Sequence, residues 1–188
     1  MIRGYRNYHI TRRLLVVILL TATLILPVCA CGMTPVTFPD LSIEAAVREA
    51  LDKPEGVISR YALSAITELW ISESGIQDLT GLEHCVNLER LGLDGNNISD
   101  ISALARLSNL EYLNLGKTSA SDISSLADLT NLQKLYLNDN NISDISSLVE
   151  NSGLSAGDTV NLGGNPLNTT SMNDYIPQLE ARGVNVEN

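Results

Sequence analysis

Apolar residues return along this chain at a fixed interval. Units of one pattern open at Ile66, Leu88, Leu110 and Leu132, each 22 residues after the last. The unit at Leu88 reads L-E-R-L-G-L-D-G-N-N-I-S-D-I-S-A-L-A-R-L-S-N, and those at Leu110 and Leu132 follow it closely. Its first half alternates, as in Leu91-Gly92-Leu93, which predicts a short strand with both leucines on one face. Its second half places Ile98, Ile101, Leu104 and Leu107 three apart, the spacing of a tight helical turn. A last unit runs through Leu154, Val160, Leu162 and Asn165, with three extra residues before its strand. One such coil cannot bury its apolar face alone. Stacked coils make a continuous core.

The repeated L-x-x-L-x-L-x-x-N-x-L is the signature of leucine-rich repeats. The chain resembles the 22-residue class found in bacterial internalin-like proteins, over about residues 38–188. The expected fold is α/β, a solenoid. Strands stack into a curved parallel sheet on the concave side, and short 3-10 or helical turns line the convex side.

Open solenoid ends expose leucines, so both need caps. Residues 38–65 predict a helical N-terminal cap, with Leu41, Ala45, Val47, Ala50 and Leu51 on its buried face. Asp40 or Ser42 caps its start, and Lys53-Pro54-Glu55-Gly56 stops it. Residues 66–170 hold the repeats. Residues 171–188 predict a C-terminal cap, a helix from Ser171 to Arg182 bent or delayed by Pro177, then a closing strand at Val184-Asn185-Val186.

The N-terminus follows other rules. Arg3, Arg6, Arg12 and Arg13 precede an apolar run from Leu14 to Leu26. That run is shorter than the ~20 residues a spanning helix needs, and a basic segment followed by a short apolar one reads as a secretory signal. Val28-Cys29-Ala30-Cys31-Gly32 resembles a bacterial lipoprotein signal. The resemblance implies cleavage after Ala30, with residues 1–30 removed, and lipid on the Cys31 thiol. Residues 31–37 then form a tether of at most ~25 Å to the cap. An uncleaved anchor helix is the alternative.

Charge narrows the partners. Of 12 Lys and Arg residues, four lie in the first 31, which leaves 8 against 22 acidic residues and a balance of −14. Such a body repels phosphate backbones, so no nucleic-acid partner is expected. It also repels an anionic bilayer, so membrane attachment falls to the lipid anchor. Aromatic residues are only 4%, so the core is aliphatic.

Catalytic chemistry finds little to use. Beyond the lipidated Cys31 there is one histidine, His84, and one cysteine, Cys85. Cys85 falls in the inward column of Leu107 and Leu129, whereas His84 aligns with Arg106 and Asp128 and faces out. Neighbours that point apart cannot act as nucleophile and base. With no second histidine, Ser-His-Asp and His-based metal sites are excluded too, so neither an enzyme nor a cofactor is expected. Asp78, Asp100, Asp122 and Asp144 recur once per coil. Calcium wants several such oxygens, but these sit where a turn needs its first N–H groups capped. Asn96, Asn140 and Asn165 end their strands and are expected to bond backbone groups. Ser74 and Thr118 replace asparagine in two units, where looser turns are expected.

Function is therefore expected on the outward positions of the strands, which carry Trp70, Arg90, Asp94, Tyr112, Asn114, Lys134, Tyr136 and Asn138. Leucine is not needed there, so the aromatic residues have no core role, and aromatic and Arg side chains dominate binding hot spots. A protein partner is the first expectation. The alternative is a structural or adhesive envelope component that binds polysaccharide through the Asn, Tyr and Trp set. Six strands of about five residues present roughly 400–500 Å². A standard interface takes ~800 Å² per partner, so a partner must also grip a rim or a cap.

Overall fold

The structure, a computed structural model, describes residues 34–188. The predicted signal, residues 1–30, and the lipidation site at Cys31 lie outside the described residues.

Six strands form one parallel sheet in chain order: β1 (Glu68–Trp70), β2 (Arg90–Gly92), β3 (Tyr112–Asn114), β4 (Lys134–Tyr136), β5 (Thr159–Asn161) and β6 (Asn185–Glu187). The register follows the repeat. Glu68 faces Arg90, then Tyr112, Lys134, Thr159 and Asn185 in one row, and the row of Trp70 continues through Gly92, Asn114, Tyr136, Asn161 and Glu187. Inter-coil bonds continue past the strands, from Leu93 N to Asn114 O at 2.8 Å and from Gly95 N to Gly116 O at 2.9 Å. The closing strand lies one residue later than the pattern predicted.

The inward columns make one core. Leu91, Leu113 and Leu135 from mid-strand and Leu104, Leu126 and Leu148 from the opposite side are fully buried. That opposite side carries 3-10 turns at Leu82–His84, Ser102–Arg106 and Ser124–Leu126, and a short helix, α3, at Ser146–Glu150. The recurring aspartates serve these turns. The N–H groups of Thr80, Ser102, Ser124 and Ser146 donate to Asp78, Asp100, Asp122 and Asp144 at 2.7–2.9 Å. Hydrogen bonds from Thr80, Ser102 and Ser124 hold the carboxyls of Asp78, Asp100 and Asp122 below their ordinary value of 3.8. A depressed folded pKa stabilises above the unfolded value, so this contribution is present at neutral pH and is lost as pH falls below about 4.

Asparagines close the strand side. Asn140 Nδ2 donates to Leu115 O (2.7 Å) and Leu137 O (3.0 Å), while its Oδ1 accepts from Ala120 N (3.1 Å). Asn96 makes the equivalent bonds two coils earlier. The turn at Thr118 is not left open as expected: its hydroxyl donates to Asn140 Oδ1 at 2.6 Å. Likewise Ser74 N donates to Asn96 Oδ1 at 2.9 Å. The neighbouring coil's amide thus fills the missing role. Among the described residues, no buried side-chain nitrogen or oxygen lacks a partner.

The N-terminal cap contains α1 (Leu41–Ala50) and α2 (Arg60–Leu63). Asp40 caps α1, accepting from Ser42 N and Ile43 N, and its second oxygen accepts from Gln77 N at 3.2 Å. That link to the first coil sets the rotation of the helix. Ile43 and Val47 are buried, with Ala46 and Leu51 packed beside them, whereas Leu41 is 78% exposed and Ala45 and Ala50 lie outside. The buried stripe is therefore shifted from the one the pattern suggested. Residues 35–36 also join the cap: Pro35 pairs with Ser59, and Val36 N donates to Ile58 O at 2.8 Å.

At the other end the helical segment widens into a π turn at Ser171–Tyr175 before α4 (Ile176–Ala181). Pro177 has no N–H to give, and the widened turn leads into it without breaking the helix.

Candidate functional site

The outward face of the sheet follows from the alternation that fills the core. With Leu69, Leu91, Leu113 and Leu135 pointing in, their neighbours on each strand point out. All eight residues expected to bind a partner are on this face. Arg90, Tyr112 and Lys134 share one row, Trp70, Asn114 and Tyr136 the next, and Asp94 and Asn138 follow just beyond the strands.

Three aromatic rings are contiguous. Trp70 and Tyr112 have centroids 5.3 Å apart with planes at 57°, and Tyr112 and Tyr136 are 5.6 Å apart at 47°. The ladder runs diagonally across β1 to β4 and crosses β2 where that strand has glycine. A Cβ on Gly92 would overlap the six-membered ring of Trp70, so the glycine lets Trp70 lie flat over β2 and reach Tyr112. Trp70 remains 53% exposed, while Tyr112 and Tyr136 are half-buried. Burial, followed by the nearby Tyr136 and Asp94, raises the pKa of Tyr112, so its hydroxyl stays protonated and can donate at neutral pH.

The polar residues divide into held and free. Asp94 Oδ1 accepts from the Ser72 hydroxyl (2.7 Å) and from Asn114 Nδ2 (3.1 Å), and Asn138 Nδ2 donates to Asp139 (2.9 Å). These side chains shape the face and have less capacity left for a ligand. Arg90 touches Glu68 at 3.7 Å, with both side chains half exposed. An open slot of about 290 Å³ lies beside the ladder, lined by Trp70, Arg90, Glu111, Tyr112, Gln133 and Lys134. The strand pattern does not point to Glu111 and Gln133. Strict alternation would turn them inward, but they precede their strands, and Leu110 and Leu132 already occupy the inward place.

Elsewhere the chemistry is sparse. Cys85 is fully buried, and burial pushes its thiol up to about 12. It should resist iodoacetamide at pH 8 and react only as fast as the domain unfolds, and labelling of the folded protein within minutes would contradict its placement. Its folded pKa lies above the unfolded value, so stability is expected to decline as pH rises above about 9 and to level off near 12. His84 lies half-buried beside Glu83 at 3.6 Å. Among the described residues no group of three His, Cys, Asp or Glu could hold a metal ion, and no helix is long and apolar enough to cross a membrane.

Residues 86–142 match the family described as Leucine rich repeat. Together with the six-stranded parallel sheet and its 22-residue register, this decides the architecture. The fold is a leucine-rich-repeat solenoid. An internalin from Listeria monocytogenes is similar, with 35% sequence identity and a TM-score of 0.72 over 82% of this chain and 45% of that one. A leucine-rich-repeat protein of Leptospira interrogans shares the fold at 21% identity, with a TM-score of 0.59 over 68% of this chain and 32% of the other. The chain thus spans less than half the length of either. No curated protein matches the sequence. The leucine-rich repeat is an architecture of binding modules, because stacked coils leave one continuous sheet face unburied.

Proposed function

We propose that this protein is a non-enzymatic recognition module, held at the outer side of a cell membrane by lipid on Cys31, whose concave sheet face binds a protein partner. The observation that carries this reading is the ladder of Trp70, Tyr112 and Tyr136, three contiguous rings outside the core in a chain of few aromatic residues. Rings with no packing duty, flanked by Arg90 and Lys134, have the composition of an interface hot spot. Pairing of residues 35–36 with the cap leaves four residues from Cys31 to Pro35, a reach of about 14 Å, which favours a partner close to the membrane. The limited area of the sheet suits a partner that also touches the cap or a rim.

Replacing Trp70 and Tyr136 together by alanine should reduce partner capture from native membranes at least about tenfold, the cost of one modest hot spot. The melting temperature should move little, because neither side chain belongs to the core. Unchanged capture would remove the sheet face from the account. Capture of polysaccharide on a glycan array, with no protein retained, would favour the adhesive alternative instead. For the anchor, Cys31→Ser should release the protein from the membrane fraction and abolish globomycin-sensitive processing.

A further inference from the structure

We propose that the slot beside the ladder binds an acidic segment of a protein partner, one carboxylate seated over Tyr112 between Arg90 and Lys134 with an adjoining apolar side chain laid on Trp70. This deepens the reading of the sheet face as the partner-binding surface and rests on it.

The two cations occupy the same row, on strands either side of Tyr112, so their backbones stand two strand spacings apart, ~10 Å. Both line the same slot, and a group above the tyrosine ring is within reach of both side chains. Neither cation is used up by the fold. Lys134 makes no ion pair among the described residues, and Arg90 has only Glu68, at 3.7 Å and half exposed. A long single contact leaves most of the guanidinium donors free for a carboxylate, which this planar fork suits.

The surroundings sharpen the preference. The body carries a balance of −14, so an acidic segment is disfavoured over most of it, and Arg90 and Lys134 give the slot its attraction for a carboxylate. Glu111 on the slot rim and Glu68 beside Arg90 offset these two cations, which disfavours broadly anionic ligands and favours a single carboxylate with apolar flanks. Trp70, half exposed next to the cations, offers the matching apolar surface.

Trp70 is the only tryptophan in the chain, so its emission reports occupancy of the slot directly. The probes are acetylated, amidated hexapeptides of leucine with a central aspartate, compared with the asparagine and lysine counterparts and with oligogalacturonate. They are titrated into the protein purified from membranes in detergent. The aspartate peptide should change the emission saturably, and the asparagine and lysine peptides should bind more weakly. Lys134→Gln should weaken the aspartate peptide about two- to fivefold, the range for one exposed charge pair. Glu68→Gln should tighten it by a similar factor, since it frees Arg90. Both positions are exposed, so the variants should fold as the parent does.

Equal binding of the aspartate and asparagine peptides would overturn the proposal, as would no gain from Glu68→Gln or a response to the oligouronate alone. Should the Trp70→Ala, Tyr136→Ala protein lose its native partner while the peptides show no charge preference, the slot chemistry fails and the face stands. Should capture persist in that variant, the face itself fails.

Discussion

Asn140→Ala is expected to lower stability by about 3 kcal/mol, because it strips partners from several backbone groups at once. The amide donates to Leu115 O and Leu137 O and accepts from Ala120 N, joining two coils where the chain leaves the sheet. Asn140 is only 6% exposed, so water cannot readily replace those bonds, and the Thr118 hydroxyl also loses its acceptor. Asn131 is the control. It too bonds the preceding coil, to Ser108 O at 2.7 Å, but it is exposed, and Asn131→Ala should cost less than about 1 kcal/mol. Urea unfolding of both variants measures the contrast, and equal losses would show that burial does not set the value of these amides.

Gly153→Ala should cost at least as much, by a different route. An added methyl group would overlap the carbonyl of Thr130, which is backbone and cannot swing aside. Position 153 falls in the column of Asn87, Asn109 and Asn131, whose side chains each bond a carbonyl of the preceding unit. In the fourth coil the backbones come into direct contact instead. Asn151, fully buried, takes over the bonding, with Nδ2 donating to Leu126 O and Leu129 O and Oδ1 accepting from Gly153 N. Forcing these coils apart should cost about 3 kcal/mol or more. That corresponds to a melting-temperature drop of roughly 10 °C for a domain of this size. A drop of under about 2 °C would mean that the coils can separate there cheaply.

The columns set by burial were legible in the sequence, because each inward leucine repeats every 22 residues and alternation fixes the face it takes. That placed Cys85 in the core, the eight outward residues on the sheet face and the aspartates at the turns. Features that depend on contact between coils were not legible. The ladder joins Trp70 to Tyr112 across an intervening strand, and only the missing side chain of Gly92 allows it. The second asparagine column repeats as faithfully as the first, yet the strand signature draws no attention to it. Left-handed backbone at Glu73, Gly95, Lys117 and Asp139 also recurs once per coil, but the glycine that would advertise it occurs at only one of the four. The rotation of α1 escaped because Ile43 and Leu41 are equally apolar, and the link from Asp40 to Gln77 decides between them.

On the reading proposed above, the aromatic side of the sheet, and not the aspartate-capped turns behind it, meets the partner. Hydroxyl-radical footprinting tests this without knowledge of the partner, by comparing the protein on its native membrane with the purified protein. Oxidation of Trp70, Tyr112 and Tyr136 should fall severalfold on the membrane, while His84, half-buried in the turn Leu82–His84 on the opposite side, stays as reactive as before. Protection of His84 with the three rings unchanged would show that the turns meet the partner instead.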